Sequence, residues 1–143
     1  MGEVEEFLAA VLPRLEEADT ALHNGKPNRR KGMWSHKDPV TVFGAAVSRS
    51  GWDQIGPAFD WLASKFSNCE SFEYEVLAAG VSGDLAYIAG IEHTTASVAG
   101  AAPGAYSLRV TTILRRENGE WKVVHRHGDP VPDSHSTRDS LSA

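Results

Sequence analysis

The stretch from Arg109 to Asp129 limits the fold more than any other part of the chain. β-Branched or apolar residues with polar interruptions run from Tyr106 to Leu114, and Trp121-Lys122-Val123-Val124-His125-Arg126-His127 follows Asn118-Gly119. Asn-Gly between two such runs predicts a β-hairpin, because both central residues of the tight turn need φ > 0. Side chains alternate along a strand, so Trp121, Val123, His125 and His127 are expected on one face. An Arg, two His and an Asp near the end of a hairpin are costly in an apolar core. They are easy to justify at the polar end of a pocket.

The rest of the chain supplies helices and strands to pack on that hairpin. Val4, Phe7, Leu8, Val11, Leu15, Ala18 and Leu22 fall at helical spacing, with a kink or break expected at Pro13 and an end at Asn24-Gly25. Lys26 to Lys37 holds five basic residues and no acid, and reads as a short helix or a loop. Asp38-Pro39 turns the chain into a short strand, Val40 to Phe43, closed by Gly44. Ile55, Phe59, Leu62, Ala63 and Phe66 form one apolar helical stripe after Gly51-Trp52, with Pro57 early in the helix. Two strands are expected next, about Ser71 to Val81 and Asp84 to Ala96, around Ser82-Gly83. Val98 to Gly104 reads as a flexible connection. This order predicts an α+β domain over residues 1–130, with N-terminal helices packed on one face of a curved antiparallel sheet. Residues 131–143 are rich in Pro, Ser, Asp and Thr and read as a disordered tail.

Composition narrows the function classes. At 143 residues the chain suits one core, and a net charge of −5 argues against nucleic-acid binding. No apolar run approaches the roughly 20 residues of a membrane helix, so no membrane partner is expected. The single Cys69 cannot form an internal disulfide, and the acidic start shows no signal-peptide pattern. A cytoplasmic protein is the expectation.

Gly51-Trp52, Gly83-Asp84-Leu85-Ala86-Tyr87, Arg109-Val110-Thr111, Gly119-Glu120-Trp121 and His125-Arg126-His127 together resemble the nuclear transport factor 2-like superfamily. The resemblance is to its SnoaL-like and ketosteroid isomerase-like branch, and it spans most of residues 1–130. It implies a cystatin-like cone, a homodimer, and a small-molecule pocket between sheet and helices. It does not settle function, because one such fold carries several chemistries.

Several residues could carry chemistry in such a pocket. Arg109 could hold an oxyanion, or pair with Glu92 on the neighbouring strand and close the sheet face. An Asp two residues after such an Arg marks the superfamily's epoxide hydrolases; Thr111 stands there instead, which weakens that reading. His127 or His125 could move protons near neutral pH or cap the strand end. No carboxylate or Cys set completes a metal site around them, and no cofactor motif is visible. Asp129 could act as acid and base, by a loose likeness to the polyketide cyclases, or cap the turn before Pro130. Asp38 matches the place of the proton-shuttling Asp of the ketosteroid isomerases, and is also an ordinary Asp-Pro turn. Trp34, Phe43, Phe59, Trp61 and Tyr87 could line the pocket with Glu92, or be plain core. Lys26, Arg29, Arg30, Lys31 and Lys37 could attract an anion, and fit a solvated surface better.

These residues predict a small-molecule-binding domain. It would act as a cofactor-independent isomerase, cyclase or lyase on a small hydrophobic carbonyl compound. The alternative is a noncatalytic ligand-binding or homo-oligomerisation domain.

Overall fold

A computed structural model describes residues 2–44 and 47–132. The expected tail lies mostly outside them, from residue 133 on. The elements are α1 (Glu3–Leu22), α2 (Asn28–Met33), β1 (Thr41–Phe43), β2 (Ser48–Ser50), α3 (Trp52–Ala63), β3 (Phe66–Ser82), β4 (Leu85–Val98), β5 (Gly104–Glu117) and β6 (Glu120–Pro130). The strands form one sheet in the order β2-β1-β6-β5-β4-β3. All pairings are antiparallel except β1 with β6. The fold is therefore α+β, with the helices on one face of a curved sheet.

The core lies between that face and the helices. Phe7, Val11 and Leu15 of α1 and Ile55 and Phe59 of α3 meet Ile88, Leu114 and Val123 of the sheet, all buried. Phe7 stands edge-on to Trp121, with ring centroids 5.1 Å apart, a favoured aromatic geometry. Asn118 and Gly119 adopt φ of 52° and 80°, the conformation their hairpin turn requires. Gly90 is confined by close approach: a Cβ there would lie 2.1 Å from the Glu75 carbonyl oxygen.

Three local expectations change. Pro13 does not break α1, which runs through it for 20 residues. Pro13 and Ala9 are both exposed, so water can satisfy the Ala9 carbonyl that the missing N–H leaves free. Phe66 opens β3 rather than closing α3, and β3 starts five residues before Ser71. β2 is an added strand. It is three exposed residues long, too short and polar to leave a period-2 signal.

The fourth change controls the site. Ile113 pairs with His125, while the next residue, Leu114, pairs with Val123. Val124 is the extra residue of a β-bulge, and a bulge shifts the alternation of side chains by one position. Trp121 and Val123 therefore face the helices, but His125, His127 and Asp129 face away from them. The residue turned inward is Arg126.

Candidate functional site

A cavity of about 320 Å³ opens between α1, α3 and the inner sheet face. Leu22, Val42, Phe59, Leu62, Phe66 and Leu108 give it apolar walls. Its polar lining comes from two sources. The end of α1 and the start of α2 bring His23 and Arg30; the sheet brings Glu92 on β4, Tyr106 on β5 and Arg126 on β6, and Asp19 lines the small adjoining void with Arg30, Glu92 and Arg126.

These groups form two ion pairs and one neutral pair. Arg126 donates from Nη1 and Nη2 to the two Glu92 carboxylate oxygens, at 2.5 and 2.9 Å. Their side chains are 12% and 3% exposed. Glu92 pairs with Leu108 and Arg126 with Thr112 across β5, so the guanidinium reaches diagonally over that strand. Arg30 donates to Asp19, both nearly buried. Burial opposes the charge on Asp19, but the Arg30 guanidinium, then Arg126 and His23, holds its carboxyl below the ordinary value. Burial likewise opposes the charge on Arg126, and Glu92 overcomes it, raising the pKa. Two acids and two bases sum to zero, so the polar floor carries no net charge.

His23 and Tyr106 form the neutral pair. The Asp19 backbone carbonyl, 2.7 Å from His23 Nδ1, is an acceptor only, so Nδ1 carries the proton. In the neutral ring Nε2 is then a lone pair, and the Tyr106 hydroxyl against it is the donor. Burial lowers the His23 pKa, against the pull of the Asp19 carbonyl and carboxylate. Burial also pushes Tyr106 up to about 12. Both side chains are neutral around pH 7. Deeper in, Tyr74 is pushed up to about 12 by burial and the Glu92 charge.

Few of the residues picked out by sequence reach this cavity. Phe59 and Glu92 line it, and Trp34 borders the small void beneath it, 5.1 Å from the Phe59 ring. Glu92 is the partner of Arg126, not of Arg109. Arg109, His127 and Asp129 lie on the outer sheet face, in an open depression with Leu77, Ala89 and Ile91. Arg109 Nε donates to Asp129 Oδ1 at 2.9 Å. That hydrogen bond is the main cause of a lowered Asp129 pKa. His125 is also on the outer face. Its Nδ1 meets Thr41 Oγ1 at 2.7 Å, and its pKa is lowered by burial and then by the charge of His127. Phe43 packs edge-on against both His rings. Tyr87 and Trp61 are exposed, Tyr87 lying over Gly80 and Trp61 under the Lys65 ammonium. Asp38 is exposed in its loop and accepts the Trp52 backbone N–H at 3.0 Å, capping the start of α3. Among the described residues no cluster of three or more His, Cys, Asp and Glu could hold a metal ion. No helix there is long and apolar enough to cross a membrane.

Sequence reasoning gave no site role to Asp19, His23, Tyr106 or Arg126, and weighed Arg30 only as one of a basic run. Asp19 carried a signal, a carboxylate inside the apolar stripe Val11-Leu15-Ala18-Leu22. Arg30 was hidden in a basic run that otherwise suits a solvated surface. Arg126 carried no signal, because nothing in Trp121 to His127 announces the bulge.

Known proteins bear on this geometry. Residues 11–133 match the family profile of the SnoaL-like domain. A Caulobacter vibrioides protein of unknown function with a cystatin-like fold superposes with a TM-score of 0.71 at 19% identity, over 99% of this chain and 100% of that one. A Streptomyces avermitilis protein of the nuclear transport factor 2-like family, provisionally named a dehydratase, gives 0.68 at 17% identity over 90% and 98%. A Parabacteroides distasonis protein, provisionally named a ketosteroid isomerase, gives 0.67 at 15% identity over 86% of each chain. At these identities the likeness is one of fold. No curated protein matches the chain.

Proposed function

We propose, for a chain that belongs to the SnoaL-like domain family, that the inner cavity binds a small, uncharged, largely apolar molecule bearing an oxygen function. We propose further that the domain acts on it by cofactor-independent proton transfer, of the isomerase, cyclase or lyase type. The observation that carries the reading is the pairing of every charged group that the described residues place on the cavity floor. Glu92 is held by Arg126 and Asp19 by Arg30, so a ligand carboxylate would meet no uncommitted countercharge and would lose its hydration. An uncharged molecule loses little on entering and gains from the apolar walls. His23 and Tyr106 are neutral proton carriers on the same wall, which suits acid/base work near neutral pH.

The test is thermal stabilisation by matched compounds. Small apolar ketones and alcohols should raise Tm saturably, and their carboxylate counterparts should not. Ala58→Trp, which fills the cavity from α3, should abolish the effect while the unliganded protein keeps its fold. Tighter binding of the carboxylates, or unchanged binding by Ala58→Trp, overturns the reading. Transfer of solvent deuterium into a bound carbonyl compound, followed by NMR, tests the proton-transfer step.

We propose also that two copies pair through the outer sheet face. Phe43, Leu77, Leu85 and Tyr87 are between 44% and 66% exposed there, and such a patch favours burial against a partner. Sedimentation should give a dimer that Leu77→Glu with Tyr87→Glu converts to a monomer. An unchanged mass would remove the outer face from assembly.

A further inference from the structure

We infer that the cavity selects for a ligand that donates a hydrogen bond, a hydroxyl above all, and that Tyr106 Oη is the acceptor that reads it. This rests on the proposed ligand pocket and deepens it. One chain of protons sets the roles of these groups. The Asp19 carbonyl fixes the proton on His23 Nδ1. The bare Nε2 then takes the Tyr106 hydroxyl proton. A phenol whose single proton is committed offers only lone pairs to anything else. Both residues line the cavity, so its wall presents an acceptor where a free tyrosine would present either role. Burial keeps the assignment in place, because a charged His23 would reverse the polarity, and burial lowers its pKa. The nearby carboxylates are held by cations, Glu92 by Arg126 through both oxygens and Asp19 by Arg30 through Oδ1, and the Thr94 hydroxyl is a further hydrogen-bond partner of Tyr106.

The same geometry gives the pair a direction. When a ligand hydroxyl donates to Tyr106 Oη, its proton can pass to that oxygen as the Tyr106 proton passes to His23 Nε2. The ligand is left as an alkoxide or phenolate, tyrosine stays neutral, and the imidazolium forms beside the Asp19 carboxylate. Charge and protons balance with no further reactant. Tyr106 would touch the substrate, and His23 would act through it.

The experiment compares three bicyclic probes of nearly equal size: 2-naphthol, 2-methoxynaphthalene and 2-acetylnaphthalene. Calorimetry on the wild type should give 2-naphthol an advantage of roughly tenfold over each of the others, the worth of about one hydrogen bond. Tyr106→Phe should bring the three within about twofold while still binding the methoxy compound. Equal binding of all three to the wild type, or preference for the ketone, overturns the acceptor role and leaves the pocket standing. If none of the three binds, the pocket reading falls and this inference with it. ¹⁵N NMR of the wild type checks the geometry without a variant. His23 should be the Nδ1–H tautomer with a hydrogen-bonded Nε2, and an Nε2–H tautomer would overturn the assignment.

Discussion

The two faces of the sheet carry the same kinds of residue and use them in opposite ways. Each has an Arg–carboxylate pair, across β5 on the inner face and between the adjacent strands β5 and β6 on the outer, and a His near a hydroxyl. On the inner face Arg126 and Glu92 are nearly sealed from water. On the outer face Arg109 and Asp129 are 54% and 41% exposed. Water screens the outer pair, which can break and re-form at little loss. The inner pair has lost its hydration and depends on its own geometry. The inner arrangement is therefore held fixed out of water, while the outer one stays open to it. Which residues enter the inner arrangement depends on the bulge at Val124, because a strict two-residue alternation would have brought His125 and His127 inward in place of Arg126.

The largest expected effect comes from breaking the inner pair on one side. Arg126→Met leaves the Glu92 carboxylate buried without a countercharge and should destabilise the protein by about 3–5 kcal/mol in urea denaturation. The double variant Arg126→Met with Glu92→Leu should recover most of that loss, since an apolar pair of similar volume tolerates burial. A single variant as stable as the wild type would mean that water reaches Glu92 and that the faces are not so different.

How much of this could be read from the chain follows from the same contrast. The α+β order, the hairpin at Asn118-Gly119 and the core residues Phe7, Val11, Leu15 and Phe59 were legible, because periodicity and turn chemistry are local. Phe59 and Glu92, two of the residues singled out, line the inner cavity. His125 and His127 were placed on the face of Trp121 and Val123 by an alternation that a single inserted residue reverses, while Asp38 and Asp129 were placed by resemblance. Register belongs to strand pairing, and the β5–β6 bulge is visible only when both strands are laid side by side. Asp19 and Arg30 lie on different helices, and their pairing is likewise a tertiary fact.

A smaller effect should follow from pH. Folding depresses the His23 pKa, chiefly by burial, so the unfolded chain binds a proton that the folded chain resists. Stability should rise with pH in that window, be complete above the ordinary imidazole value of about 6.5, and be lost as pH falls below it. The loss can reach about 1.4 kcal/mol per pH unit for one proton. Asp19, Arg30, Glu92, Arg126 and Tyr106 surround the ring. The Asp19 carboxyl is held below its ordinary value, so the fall of pH from about 6.5 reads His23 before it. Melting curves across that fall should steepen for the wild type and flatten in His23→Gln. His125→Gln, on the outer face and less buried, should flatten them less. Equal slopes in His23→Gln and wild type would mean that the ring is protonated in the folded state, which would also remove the lone pair that fixes Tyr106.

The smallest effect is expected where sequence placed the most weight. Arg109→Ala removes one partner of a pair that water already screens, so the denaturation midpoint should stay within experimental error. Probe binding in the inner cavity should not change, because the Arg109 side chain points from the opposite face of β5. The substitution should instead register in the assembly, since Arg109, His127 and Asp129 border the proposed dimer surface together with Leu77 and Ile91. A weaker dimer in sedimentation, with ligand affinity unchanged, would separate the two faces by function as well as by burial. Loss of ligand binding with the dimer intact would join them, and would mean that the β5–β6 ladder transmits the state of one face to the other.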